Sequence, residues 1–389
     1  MNGWRPRSCP GFRTPRMRSR PHRRRIGGRI MTGYSGTTYD LFKRLLHILL
    51  IYAGALLFGI VAHWLRFPLP WMIGAMVFAS TVRMLERPLP IPAQTRQIGQ
   101  ILIATSVGLS FTPEAVRMMQ SLLLPMVGVA IATIGLGFVV AAFLMRITKV
   151  DVITAALASI PMGPVESAIL AVRHKVSPGP VVFSQTLRIM LLVVLIPPVI
   201  VALDGTITDP VAVLSKMDWT LSGATLLCLC GIVGALVART VRLANPFFVG
   251  SLGGAALAAA FSLPISAYPY AVLVLAQVFL GVWLGAVFDR DLLRRAKGFI
   301  PGAILASILL ILLCVIMGLV MAWITGQTWQ VMLLATAPGS VTEMALTAKI
   351  LDDGLAIVTA FHVIRIFIIL PFAGTIIRLT ASMHSILQK

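Results

Sequence analysis

Two glutamates and two arginines stand at matched places in a chain that carries few other charges. Glu166 and Arg188 are 22 residues apart, and Glu343 and Arg365 repeat that spacing. Each glutamate follows a break punctuated by proline and glycine: Pro161-Met162-Gly163 before Glu166, Pro338-Gly339-Ser340 before Glu343. Ser340-Val-Thr-Glu343 has the form of a capping box, in which hydroxyl and carboxylate each satisfy a backbone amide of the helix start. Pro164 and Glu166 fall at the first and third positions of the corresponding helix, where proline and acidic residues are favoured. In an apolar setting such groups have a short list of uses. A carboxylate can take up a cation or a proton, a guanidinium can hold an anion, and an unwound backbone can line a binding site.

Each residue also has a plainer reading. Arg188 and Arg365 either bind an anionic solute or coupling group, or form structural ion pairs with Glu166 and Glu343; both hold if the pairs open on binding. Glu166 and Glu343 either cap their helices or couple to a cation. The tips Pro161, Gly163, Pro338, Gly339 and Ser340 either turn the chain or line a site. Gln100 and Gln277 line a pathway or join helices by hydrogen bonds. Gln185 aligns with His362, which lies three residues before Arg365 and so shares its helix face. His362 is a candidate proton carrier or a hydrogen-bonded structural residue. Gly108 and Gly285 suit close helix packing, and Trp71 suits an interfacial anchor. The six histidines are scattered, and Cys228-x-Cys230 has no zinc or redox spacing. No metal site, cofactor or catalytic residue is expected.

These residues need elements that hold polar groups inside an apolar body. The chain has 389 residues, 58% hydrophobic and 12% charged, with mean hydropathy +0.92. Soluble domains carry about twice that share of charge. Continuous rather than alternating apolar runs exclude a β-barrel and imply an all-α polytopic membrane protein. The runs fall at 45–65, 69–86, 97–111, 118–146, 150–171 and 180–203, then at 221–243, 246–262, 268–287, 299–325, 329–348 and 354–377. At an offset of 177, Gln100, Gly108, Phe111, Pro161, Glu166 and Arg188 meet Gln277, Gly285, Phe288, Pro338, Glu343 and Arg365. Pro70-x-x-x-Gly74 meets Pro246-x-x-x-Gly250 one residue off that register. Such agreement marks an internal duplication.

Loop charge tests the topology. If all twelve runs crossed, the loops at 173–175, 239–242 and 289–297 would be basic and outside, and the acidic 204–218 loop would be inside. If 150–171 and 329–348 enter and leave on one side, every informative loop agrees. Each half then has five transmembrane helices plus one re-entrant broken helix, and the odd crossing number makes the halves an inverted repeat, as in secondary transporters. The expected organisation is a basic disordered cytoplasmic tail (1–44), a first membrane repeat (45–203), an external linker (204–220), a second membrane repeat (221–377) and a cytoplasmic C-terminus (378–389). Residues 1–30 hold ten arginines and no acid, half of the net +20 charge. They read as a cytoplasmic tail, or as an extension ahead of a working start at Met31, and not as a signal peptide.

The segments 338–371 (PGSVTEMALTAKILDDGLAIVTAFHVIRIFIILP) and 160–197, with LPWMIGAM (69–76) and GQILIATSVGLSF (99–111), resemble the AbrB family of bacterial integral membrane proteins. The resemblance covers about 45–377. The first repeat departs from it at Pro161-Met162-Gly163, where the family tends to have Pro-Gly-Gly. It implies a duplicated membrane domain in the bacterial inner membrane, and it brings the family's descriptions, ammonia monooxygenase or regulator of gene expression. The expected function is a secondary transporter or permease for a small, anionic solute. The alternative is a membrane-embedded regulator or ligand sensor, with ammonia oxidation last because no copper-ligand spacing is present. Expected partners are the lipid bilayer, a small-molecule solute and further copies of the chain in a homo-oligomer, with no specific nucleic acid.

Overall fold

The computed structural model describes residues 37–65, 67, 69–87, 89–204, 218–243, 245–288, 290, 298–351 and 354–369. The arginine-rich tail, most of the 204–217 and 291–297 loops and the last twenty residues lie outside them, and with them several of the loop charges used above. All fifteen elements among the described residues are helices. They are α1 (Thr37–Trp64), α2 (Pro70–Met84), α3 (Ala93–Gly108), α4 (Pro113–Ser121), α5 (Leu123–Thr148), α6 (Val152–Ser159), α7 (Pro164–Arg173) and α8 (Pro178–Asp204). A second series follows: α9 (Leu221–Thr240), α10 (Pro246–Ala260), α11 (Tyr270–Gly285), α12 (Ile300–Thr325), α13 (Trp329–Thr336), α14 (Val341–Leu351) and α15 (Leu355–Ile369).

Five of these, drawn from α1, α5, α8, α9 and α12, are long and apolar enough to cross a membrane. A helix of 26 residues, as in α5 and α12, is about 39 Å long, which exceeds a hydrocarbon core of roughly 30 Å. Their outward faces carry exposed Leu, Ile, Val and Trp side chains, among them Leu124, Leu312 and Trp323. Lipid can cover such surface; water would penalise it. The run at 118–146 is not one helix. Thr112 caps a separate short α4 through its hydroxyl, which accepts from Ala115 N, and the chain restarts after Leu122.

The two series repeat element by element. α5 and α12 have equal length, as do α3 and α11, and α6 and α13. α2 and α10 both open on proline after a residue in the left-handed region, Leu69 (φ 57) and Asn245 (φ 50). The packing is reciprocal. α2 lies against α11, and α10 lies against α3. A Cβ on Gly285 would meet Met76 O at 2.3 Å and the Ala79 Cβ at 2.9 Å. A Cβ on Gly108 would meet the Ala255 Cβ at 2.5 Å and Leu252 O at 3.0 Å. Met76 and Ala79 align with Leu252 and Ala255, so one crossing is built twice. Only glycine lets backbones approach this closely.

α1–α3 with α9–α11 form one group of helices, and α5–α8 with α12–α15 form another. Within the second group, α6 and α7 are half-helices of 8 and 10 residues, about 12 and 15 Å long, too short to cross. Leu157, Ala171 and Val181 share one buried cluster, so α6 and α7 lie side by side against the start of α8. In the second series a Cβ on Gly354 would lie 2.4 Å from the Val331 side chain. The chain leaving α14 therefore comes back to the place where α13 began.

Candidate functional site

The tips of the two half-helix pairs meet. The helix break leaves carbonyls without intrahelical partners, and long polar side chains from α8 and α15 take them up. Arg188 donates Nε to Pro338 O of the opposite tip at 2.9 Å, and Nη1 to Ser159 O at 3.1 Å and Ala158 O at 3.4 Å. Its Nη2 bonds the Gln185 side-chain oxygen. Arg365 donates Nη1 to Ala337 O at 2.7 Å and Nη2 to Gly339 O at 2.5 Å. Both guanidiniums are buried. Their donors go to carbonyls, and among the described residues neither is within 4.0 Å of Glu166 or Glu343. The structural ion pairs are therefore not formed. A guanidinium has five donors in a fixed fork, and at Arg188 the carbonyls bared at a helix break satisfy more of them than one carboxylate can.

Gln185 and His362 repeat one contact. Gln185 Nε2 donates to Leu157 O at 2.6 Å and Ile160 O at 2.8 Å, and His362 Nε2 lies 2.9 Å from Leu334 O. Leu157 and Leu334 are matched residues. A carbonyl can only accept, so Nε2 carries a proton. Both side chains hold their tips in place and face away from the cavity described next. Gln277 is likewise buried in the α11 contact, its Oε1 without a partner.

The cavity opens between the tips and the helices α3 and α11. Its floor is the two tips, with Pro161, Gly163, Gly339 and Ser340. Glu166, Glu343 and Arg365 supply charge from that side, and Arg96 and Gln100 supply polar groups from α3. Leu280, Trp283 and Ile189 make the apolar wall. Its internal free space is about 50 Å³, room for ~3 waters or a small solute. Of the residues singled out from sequence, the structure gathers Gln100, Pro161, Gly163, Glu166, Gly339, Ser340, Glu343 and Arg365 here. It leaves Arg188, Gln185, His362, Gln277 and Pro338 behind the lining.

Both carboxylates keep an oxygen free. Glu343 is 5% exposed, has the Ser340 hydroxyl as a neighbour, and its Oε2 has no partner. Glu166 Oε2 is also buried without a partner. At the position matching Ser340 the first repeat has Gly163, and a Cβ there would lie 1.8 Å from Glu166 Oε2. The carboxylate thus folds over a site that only glycine leaves open.

Three participants escaped the sequence reading. Arg96 sits in the first turns of α3 with its guanidinium carbon 3.9 Å from the centre of the Trp283 ring. Its charge acts on both Glu166 and Glu343. Asn245 accepts from Gln100 Nε2 at 3.2 Å. Lys349 is 7% exposed, lies outside the cavity lining, and bonds Ser106 O at 3.1 Å and the Ser106 hydroxyl. Arg96, Asn245 and Lys349 align with apolar residues of the other repeat, so self-comparison could not find them.

Long apolar helices packed around buried, matched polar tips define a polytopic α-helical membrane protein. The chain belongs to the AbrB family: the family model described as "Transition state regulatory protein AbrB" matches residues 71–381. It is also similar to a Bacillus subtilis (strain 168) protein named "Uncharacterized protein YhjN", 23% identical over 373 residues that cover 89% of this chain and 95% of that one.

Proposed function

We propose that the protein is a secondary transporter or permease that binds a small solute between the two tips and exposes it to alternate faces of the membrane. It is not an enzyme in this reading, and it works in the bacterial inner membrane with both termini cytoplasmic. One observation carries it: two broken half-helix pairs from duplicated repeats meet at a small polar cavity, with Arg188 of one repeat bonded to Pro338 of the other. Unwound backbone at membrane depth is tolerated where it is buried by protein or lines a cavity, and paired half-helix ends are how transporters present dipoles and carbonyls to a solute.

The reciprocal α2–α11 and α10–α3 packing is what a two-fold relation between repeats produces. The loop-charge bias favours an axis in the membrane plane, which makes the repeats inverted and the half-helix pairs re-entrant from opposite faces. The return of α14 to the start of α13 supports the re-entrant form. The anionic preference loses part of its support, since Arg188 and two donors of Arg365 are bonded to oxygens of the protein. The family description favours a second reading, in which the same cavity senses a ligand and signals to a partner.

Thiol access separates them. Met162→Cys and Ser340→Cys, each in a chain with Cys9, Cys228, Cys230 and Cys314 replaced, are labelled by an impermeant reagent from either face of oriented vesicles. Alternating access predicts that both positions are reached from both faces. Access from one face only would refute transport and favour the sensor.

A further inference from the structure

The charges around the cavity are of both signs, and their free valences are separated. Glu166 and Glu343 line the cavity, and each has a buried Oε2 with no partner. Arg96 rests on Trp283 and donates no hydrogen bond to the described residues. Arg365 contributes charge, but the two donors recorded for it go to Ala337 and Gly339. Among the described residues no two of these four groups are within ion-pair distance. The site is therefore not closed on itself. It holds acceptors on the tip side and a planar donor fork on the α3 side.

We propose that the cavity takes a small zwitterion, an α-amino acid in its simplest form, with its ammonium on Glu166 and Glu343 and its carboxylate on Arg96. This deepens the transporter reading and rests on it. An ammonium has three donors and no acceptor, and a guanidinium pairs a carboxylate bidentately. A simple cation would satisfy the glutamates and leave Arg96 unanswered. A simple anion would satisfy Arg96 and face two carboxylates. A zwitterion answers both and adds no net charge to a poorly solvated site, where uncompensated charge is expensive. The limited free space restricts the solute to a few heavy atoms.

The two repeats differ where this chemistry needs them to differ. Ser340 places a hydroxyl beside Glu343, whereas Gly163 offers Glu166 none. Glu166 is thus the freer carboxylate and the main ammonium partner.

Three probes of one skeleton test the proposal: glycine, acetate and methylamine, each titrated into the purified full-length protein by calorimetry at equal concentrations. Glycine is expected to bind at least tenfold more tightly than either half-probe. Arg96→Met, which keeps a long side chain against Trp283, should reduce glycine to the level of methylamine. Glu166→Gln with Glu343→Gln should reduce it to the level of acetate. Gly163→Ala tests the same point without touching a charged residue: its Cβ displaces Glu166, so glycine weakens and acetate does not. Thermal unfolding of each ligand-free variant identifies any that has not folded; should the glutamate variants fail, the Gly163→Ala result stands for them.

Acetate or methylamine binding as tightly as glycine would overturn the proposal in favour of an anion or a cation site. Unchanged glycine affinity in all variants, or no binding by any probe, would also overturn it. The thiol-access result at Met162 and Ser340 is independent of these titrations. Access from both faces with no preference for glycine would refute the zwitterion and leave transport standing.

Discussion

Gly250→Ala and Gly253→Ala sit three residues apart on α10 and should behave oppositely. A Cβ at Gly250 would lie 2.4 Å from Gly234 O, 2.5 Å from the Ala238 Cβ and 2.9 Å from the Ala235 Cα. All three atoms belong to backbone or to a methyl on it, so no side chain can swing away. Carbon contacts are comfortable at about 3.5–4.0 Å, so α9 and α10 must part by roughly 1 Å. A gap of that size forfeits a quarter to a half of each atom pair's attraction along the crossing. Overpacking of this kind costs about 1–3 kcal/mol, offset in part by the better helix propensity of alanine, about 1 kcal/mol. Gly253 has nothing within 4 Å of its Cβ position, so there only the propensity gain remains. The assay is the apparent melting temperature of the detergent-solubilised protein, with size-exclusion chromatography to score folded yield. Gly250→Ala should melt lower than the parent and Gly253→Ala at or above it. Gly74 aligns with Gly250 and would meet Phe58 O at 2.4 Å, so Gly74→Ala should match Gly250→Ala. Equal melting of Gly250→Ala and Gly253→Ala would refute the close-crossing argument.

Lys349→Met should be tolerated better than Ser106→Ala, because the first removes a buried ammonium and the second strips it of its hydroxyl partner at a cost of about 1–3 kcal/mol; melting temperatures decide, and the reverse order would show that Lys349 has another partner. His362→Gln should keep folded yield through an amide donor to Leu334 O, whereas His362→Leu should lower it; equal yields would refute the matched-contact role. Gln185→Leu should be worse than His362→Leu, since it abandons Leu157 O, Ile160 O and Arg188 together, and this is read from the same yields. Cysteines placed at Val176 and Ser215 should be labelled from the cytoplasmic and the external face respectively; the opposite pattern would refute the inverted repeat.

Much of the architecture could be read from residue order because the duplication made it visible twice. Pro161 and Pro338 announced the tips, Gly108 and Gly285 the close crossings, and the long apolar runs the spanning helices. The division of 118–146 was missed because Leu122 is as apolar as its neighbours; the signal was Thr112-Pro113 upstream, a helix start ahead of the apolar stretch. The roles of Arg188 and Arg365 were half legible. Their burial followed from position, but their partners are backbone carbonyls, which have no residue type to read. Arg96 and Lys349 lie at helix ends, where a charge normally faces water. Only the fold turns the first over Trp283 and buries the second against Ser106.

The matched and the mismatched positions divide the work. Where the repeats share a contact, it holds the frame: Gln185 and His362 differ in type but bond matched leucine carbonyls, and Gly108 and Gly285 sit in matched crossings. A two-fold frame by itself would present a symmetric cavity, with like charges facing like charges across the axis. A small unsymmetrical solute needs that symmetry broken near the tips. The breaks are found there: Gly163 against Ser340 beneath the glutamates, and Arg96 facing them where the other repeat has Leu273. The glutamates share their position and differ in the residue three places before them, glycine in one repeat and serine in the other. Selection for a particular solute can therefore act on a few asymmetric residues while the duplicated helices keep the stability of the whole.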